Sequence, residues 1–172
     1  VGWGRTRRGH WSSPTTSHVC TASNSSERPS VPEVVGSSTV DDTRDLVSRA
    51  EIHDLVVEFY REVVFDDLLA PLFGEVAEVD WSQHIPKLID YWCRILLREG
   101  SYAGSVTAAH RHLHGLEPVR LEHCDRWYVL WANCVDARWA GPAADRAKTH
   151  AASLMAGMAK HIFGFEWAPP AG

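Results

Sequence analysis

Between Asp80 and Gly100 apolar residues return every three or four positions. Trp81, Ile85, Leu88, Trp92 and Ile95 form one stripe, and His84, Leu88, Tyr91 and Ile95 form an adjacent one. That spacing follows the turn of an α-helix and not the alternation of a strand. A helix with one apolar face has to bury it against another element, so this stretch commits the chain to layered packing. Asp80 stands where an N-cap is needed, and Gly100, after Arg98-Glu99, stands where a helix stops.

The same grammar holds on both sides. From Thr43 to Val64 a helical period runs through Leu46, Ile52, Val56, Phe59, Tyr60 and Val63, with a break expected near Ser48 and Asp41-Asp42 expected to cap it. Phe65-Asp66-Asp67 ends it. Leu68 to Phe73, containing Pro71, reads as a single tight turn, and Gly74 to Val79 as a loop. After the turn Tyr102-Ala103-Gly104, Ser105 to Leu113 reads as a shorter helix ending in a histidine cluster and Gly115. Pro118 is expected to open the next helix, with Leu121, Cys124, Trp127, Tyr128, Trp131 and Val135 as its buried face. Gly141-Pro142 starts the last helix, whose apolar face is Ala147, Ala151, Leu154, Met155, Met158 and Ile162, and Gly164 stops it. No segment alternates as a strand. The expectation is an all-α domain over 41–165 with five substantial helices and two short pieces. Residues 1–40, rich in Ser, Thr, Pro and Gly, read as a disordered tail, and 166–172 as a frayed C-terminus.

Composition narrows the function. A net charge of −5 gives no reason to expect a nucleic-acid partner. No apolar run is long enough to cross a membrane, and the N-terminus lacks the apolar core of a signal peptide, so a cytoplasmic location is expected. The four cysteines, Cys20, Cys93, Cys124 and Cys134, show no Cys-x-x-Cys spacing and read as reduced thiols. The eight tryptophans are many for 172 residues, and on helices their flat faces can line a pocket for a flat ligand. Trp3, Arg5, Arg7, Arg8 and Trp11 make the tail basic and aromatic at its start, either as a weak docking patch or as unstructured chain.

The histidine cluster carries the chemistry. Ala108-Ala109-His110-Arg111-His112-Leu113-His114-Gly115 sets three imidazoles in five positions, with His110 and His114 one turn apart on a shared face and His112 turned elsewhere, toward solvent. Neutral imidazole is the commonest protein ligand for iron, zinc and copper. Three readings are open at this point. The cluster is a polar helix end, or it binds zinc or non-haem iron with Glu117 or Asp125 as a further ligand, or the chain is a cofactor-free helical interaction module whose tryptophans are core.

The order of these pieces resembles the truncated haemoglobins, most of all their third group, over roughly Thr43 to Phe163. The resemblance rests on Glu58-Phe59-Tyr60, Ala70-Pro71-Leu72-Phe73, Trp81-Ser82-Gln83-His84, Tyr91 to Leu97, Glu99 to Gly104, the histidine cluster and Asp125-Arg126-Trp127. It implies a two-over-two helical sandwich holding haem b, with iron bound by one proximal histidine. By position it implies Tyr60, His84 and Trp127 on the distal side. Counting back from Trp127 points to His114 as the proximal ligand, with Pro118 after it; counting forward from Tyr102 points to His110. A short insertion lies between, and His114 is the expected ligand, His110 the second choice, placed against the porphyrin edge. Phe59, Phe73, Tyr91, Trp92 and Trp131 are the expected apolar lining, and Arg98, Arg111 or Arg120 the expected partners of the propionates. The implied function is reversible binding of O₂ and of NO, CO or cyanide. Roles in oxygen supply or transport, in redox chemistry of dioxygenase or peroxidase type and in detoxification of nitrogen oxides or peroxide come with it. So do a separate reductase and a monomer or weak dimer.

Overall fold

The computed structural model describes residues 44–171. The segment 1–40, with its Trp3–Trp11 patch and Cys20, and the Asp41-Asp42 cap lie outside the described residues.

Five α-helices follow in order: α1 (Arg49–Phe65), α2 (Trp81–Leu96), α3 (Val106–Leu116), α4 (Leu121–Asp136) and α5 (Pro142–Met158). Two π-turns, Leu72–Val76 and Ala159–Phe163, complete them, and no strand is present among the described residues. The all-α expectation holds. Helix α1 packs against α2 and α4, α4 against α5, and α3 against the second π-turn.

Local chemistry moved several boundaries. Ser48 begins α1 instead of breaking it: its Oγ accepts the Glu51 N–H at 3.3 Å, and the Glu51 carboxylate reaches back to the Val47 N–H at 2.9 Å. This is a reciprocal cap that satisfies donors a helix start leaves free. The expected loop after Gly74 is partly the first π-turn, closed by Ala77 N–H donating to the Leu72 carbonyl at 3.0 Å. Helix α3 continues through Gly115 to Leu116, because an exposed helical glycine lowers stability without stopping the helix. Pro118 precedes the N-cap of α4, which is Arg120; the Arg120 N–H donates to His123 Nδ1 at 3.0 Å. Leu121 is 51% exposed and does not belong to the buried face expected of it.

The last helix starts at Gly141-Pro142 as expected, but its cap comes from far away in sequence. Asp45 accepts the N–H groups of Ala143 and Ala144 at 2.9 and 2.8 Å. Gly141 sits at φ +132°, and a Cβ there would stand 2.7 Å from the Asp45 carboxyl carbon, so only glycine permits this approach.

Trp131, Phe59, Ile52, Leu55, Val56, Val63 and Val135 are fully buried between α1, α2, α4 and α5. A smaller cluster of Val119, Cys124, Met155, Met158, Phe163 and Trp167 closes the far end. Trp167 lies in the segment expected to fray. It is buried, and its indole N–H donates to Asp125 at 2.7 Å. Cys93, Cys124 and Cys134 are free and buried. Among the described residues no helix is long and apolar enough to cross a membrane.

Candidate ligand cavity

A cavity of about 400 Å³ opens between α1, α2, α3 and α4. Its size falls in the range of small-molecule and cofactor sites, about 300–1,000 Å³. Phe59 and Tyr60 of α1, Trp127 and Trp131 of α4, and Tyr91 and Trp92 of α2 line it, with Phe73 from the first π-turn. His84 stands on the α2 side and His110 on the α3 side. All nine of these are residues the sequence points to.

His114 is not among the lining residues, and the reason is geometric. Each i to i+4 step on a helix advances the side chain by roughly 40°. The wall is formed by Val106, Ala109, His110, Leu113 and Leu116, and His114 rolls past its edge toward Phe163, 5.2 Å away between ring centres. Its hydrogen bond also occupies it: the Val119 N–H donates to His114 Nδ1 at 3.0 Å. The acceptor nitrogen is thereby Nδ1, and Nε2 carries the proton. His110 is the reverse. Its Nδ1 lies 2.8 Å from the Val106 carbonyl, which can only accept, so Nδ1 is the protonated nitrogen and Nε2 keeps its lone pair. Nε2 has no partner among the described residues, and no fully buried side-chain nitrogen lacks one, so it opens onto accessible space. Burial holds the His110 pKa below the usual imidazole value, which favours the neutral ring. His112 is exposed, as expected, yet reaches the rim of the cavity.

Opposite α3, Tyr60 is buried as a residue; its hydroxyl makes no hydrogen bond among the described residues, and since no fully buried polar side-chain atom there lacks a partner, it opens onto accessible space. Burial pushes its pKa up, so it stays a phenol and an O–H donor. Its ring meets His84 edge-on at 5.8 Å and Phe73 at 5.9 Å. Burial first, and then His110 and Lys87, lower the His84 pKa. Trp127 and Trp131 are parallel at 6.0 Å but differ in their indole nitrogens. The Trp131 N–H donates to the Ala147 carbonyl at 3.3 Å, whereas that of Trp127 has no partner among the described residues.

Three features escaped the sequence. Lys87 is the basic residue of the cavity wall; Arg98, Arg111 and Arg120 do not line it, and Arg120 pairs with Glu122 at 2.8 Å. Its place one turn beyond His84 on the amphipathic stripe was a usable signal. Tyr102 also lines the cavity, folded over Gly104, where a Cβ would meet its hydroxyl at 2.4 Å. His150 of α5 bonds the Tyr91 hydroxyl at 2.6 Å, and no local pattern in the chain announces that contact. Among the described residues no three His, Cys, Asp or Glu side chains converge as a metal site, so His110 and His114 find no third ligand in Glu117 or Asp125.

No family model matches the chain. It is 28% identical over 90 residues to the group 3 truncated haemoglobin ctb of Campylobacter jejuni, covering 51% of this chain and 68% of that protein. The crystal structure of the group III truncated haemoglobin from Campylobacter jejuni superposes with a TM-score of 0.63 at 21% identity, covering 73% of this chain and 98% of the other. The chain is thus similar in sequence to a group 3 truncated haemoglobin and shares the fold of a group III truncated haemoglobin.

Proposed function

We propose that the cavity holds haem b with His110 as the axial ligand of its iron, and that the protein binds O₂ and other diatomic molecules such as NO and CO. The observation that carries this reading is the pair of hydrogen bonds that hold the two histidines differently. His110 lines the cavity and keeps Nε2 free of the bond by which the Val106 carbonyl fixes its ring through Nδ1, the arrangement a ligating imidazole needs. His114 has its Nδ1 engaged by the Val119 N–H and faces Phe163. The flat aromatic walls suit a flat apolar group. Helix α3 adds support: it has no buried residue of its own, although Val106, Leu113 and Leu116 face the cavity.

Ferrous haem supplies reversible binding of diatomic gases; the protein sets the axial ligand, polarity and access. On the far side Tyr60 and Trp127 line the cavity, and their O–H and N–H make no hydrogen bond among the described residues. They stabilise a ligand that has acquired negative charge, and slow its release. Half-buried His84 stands beside Tyr60 and controls access. Lys87 and His112 are the cationic and polar groups available to the carboxylates of the cofactor at the mouth. A retained ligand fits chemistry on that ligand, such as detoxification of nitric oxide or peroxide, better than carriage. Keeping the iron ferrous then falls to a separate reductase.

The test is the visible spectrum of the protein, oxidised, reduced and with CO, for the wild type, His110→Ala and His114→Ala. We expect a Soret band that shifts on reduction and with CO, and that loses its histidine-ligated form in His110→Ala alone. Loss in His114→Ala alone overturns the ligand assignment. A protein with no Soret band after addition of haem overturns the haem reading.

A further inference from the structure

Three tyrosines line the cavity, Tyr60, Tyr91 and Tyr102, and only Tyr91 has a base on its hydroxyl. His150 Nε2 lies 2.6 Å from that oxygen, and neither residue is needed to ligate or cap anything else. The bond joins α2 to α5, and both rings are half-buried, so a proton received by His150 can leave to solvent. Both also touch the edge of Trp92, with ring centres at 5.5 and 5.6 Å. From Trp92 a stack leads inward. Trp92 lies parallel to Trp131 at 4.3 Å, and Trp131 to Trp127 at 6.0 Å, within the cavity wall. On the outer side Tyr102 meets Tyr91 at 5.2 Å.

A phenol gives up an electron readily only when its proton leaves at the same time, because the oxidised phenol is a strong acid. A neutral imidazole in short hydrogen-bond contact is a suitable acceptor. Burial lowers the pKa of His150, which keeps it neutral, and pushes that of Tyr91 up to about 12, which keeps it a phenol until it is oxidised.

We propose that Tyr91 and His150 form a proton-coupled electron-transfer site that delivers electrons through the Trp92–Trp131–Trp127 stack to a hydroperoxide reduced in the cavity, with a small phenol as the reductant. In each step Tyr91 loses one electron to the stack and its proton to His150, leaving a neutral tyrosyl radical. A phenol at the Tyr102 edge then returns one electron and one proton to Tyr91. Two such steps supply the two electrons, and the two protons shed by His150 complete the reaction. One hydroperoxide and two phenols become one alcohol, one water and two phenoxyl radicals. Delivery to the cavity rests on the haem reading above; the Tyr91–His150 couple itself does not.

The experiment therefore has two arms on the full chain. In the first, haem-loaded protein is mixed with hydrogen peroxide and freeze-quenched for electron paramagnetic resonance. In the second, the protein as purified is oxidised by a photoexcited ruthenium complex, and the tyrosyl radical is followed optically in H₂O and D₂O. We expect a tyrosyl radical in both arms, at least about tenfold weaker in Tyr91→Phe and retained in Tyr102→Phe. His150→Gln keeps a hydrogen-bond acceptor and removes the base. We expect it to form the radical about tenfold more slowly and without the slowing in D₂O seen for the wild type. An unchanged radical in Tyr91→Phe, an unchanged rate in His150→Gln or no tyrosyl radical in the photochemical arm overturns the proposal. A radical in the photochemical arm alone leaves the couple standing and refutes its delivery of electrons to the cavity.

Discussion

The two sides of the cavity are built differently. On one side Phe59, Trp92 and Trp131 are at most 3% exposed and locked between α1, α2, α4 and α5. On the other, α3 carries no buried residue, and its main contacts are to the two π-turns. The first side is held by contacts among protein side chains. The second presents Val106, Leu113 and Leu116 to the cavity; Val106 and Leu113 are only partly buried, against the smaller cluster, and Leu116 is exposed. His110, the iron ligand we propose, sits on this less packed side. From this contrast we expect filling of the cavity to order α3, with the aromatic wall as the template.

The largest effect that sharpens this contrast is on stability. Trp131→Ala should cost about 3–5 kcal/mol, the usual result of emptying a packed aromatic site, read as a lowered denaturant midpoint. Leu113→Ala on α3 should cost less than about 1 kcal/mol without cofactor. Equal losses would abolish the distinction between the walls.

Next comes the response to ligand. Adding haem should slow amide hydrogen exchange in α3 by about a hundredfold, and leave the centres of α1 and α4 within a few-fold of their cofactor-free rates in the short-time, local-opening regime. Uniform protection of all helices in that regime would mean that the template side is also ordered by the ligand.

The third effect concerns the template side alone. Tyr60→Phe removes one unpartnered O–H and leaves the ring in place. O₂ release should then accelerate about tenfold, the worth of one hydrogen bond near 1.4 kcal/mol. An unchanged release rate, measured by displacement of O₂ with CO, would remove Tyr60 from ligand contact.

The same contrast explains what the sequence discloses. Helices α2 and α5 are legible because their starts, Asp80 and Gly141-Pro142, and their apolar period are both local signals. The π-turns are not, since a single widened turn leaves no period to read. The aromatic wall is legible because a buried aromatic on a helix stripe either packs in the core or lines a pocket, and here the residues do both. The choice between His110 and His114 is not. They share a face at the level of pattern, and it takes the roughly 40° advance per turn and the Val106 and Val119 bonds to separate them. His150 is hidden for a different reason: its partner is 59 residues away, and no spacing rule reaches that far.

The smallest prediction tests how the template side is tied at its end. Asp66, just past α1, is buried, and accepts the Leu68 and Leu69 N–H groups at 3.1 and 3.0 Å. It also holds Arg126 of α4. Burial by itself would raise its pKa, but the Arg126 bond and the two backbone donors outweigh that and leave it below the usual carboxylate value. A carboxyl whose folded pKa is depressed stabilises the fold above its unfolded pKa, and loses that contribution as pH falls through the folded pKa. Asp66→Asn removes the charge while leaving an oxygen for the backbone donors, so it should cost about 1 kcal/mol at neutral pH. Urea unfolding should show the gap between wild type and variant narrowing on acidification below the ordinary aspartate pKa, and closing below the depressed one. A gap that stays constant with pH would mean that the charge on Asp66 is not what joins α1 to α4.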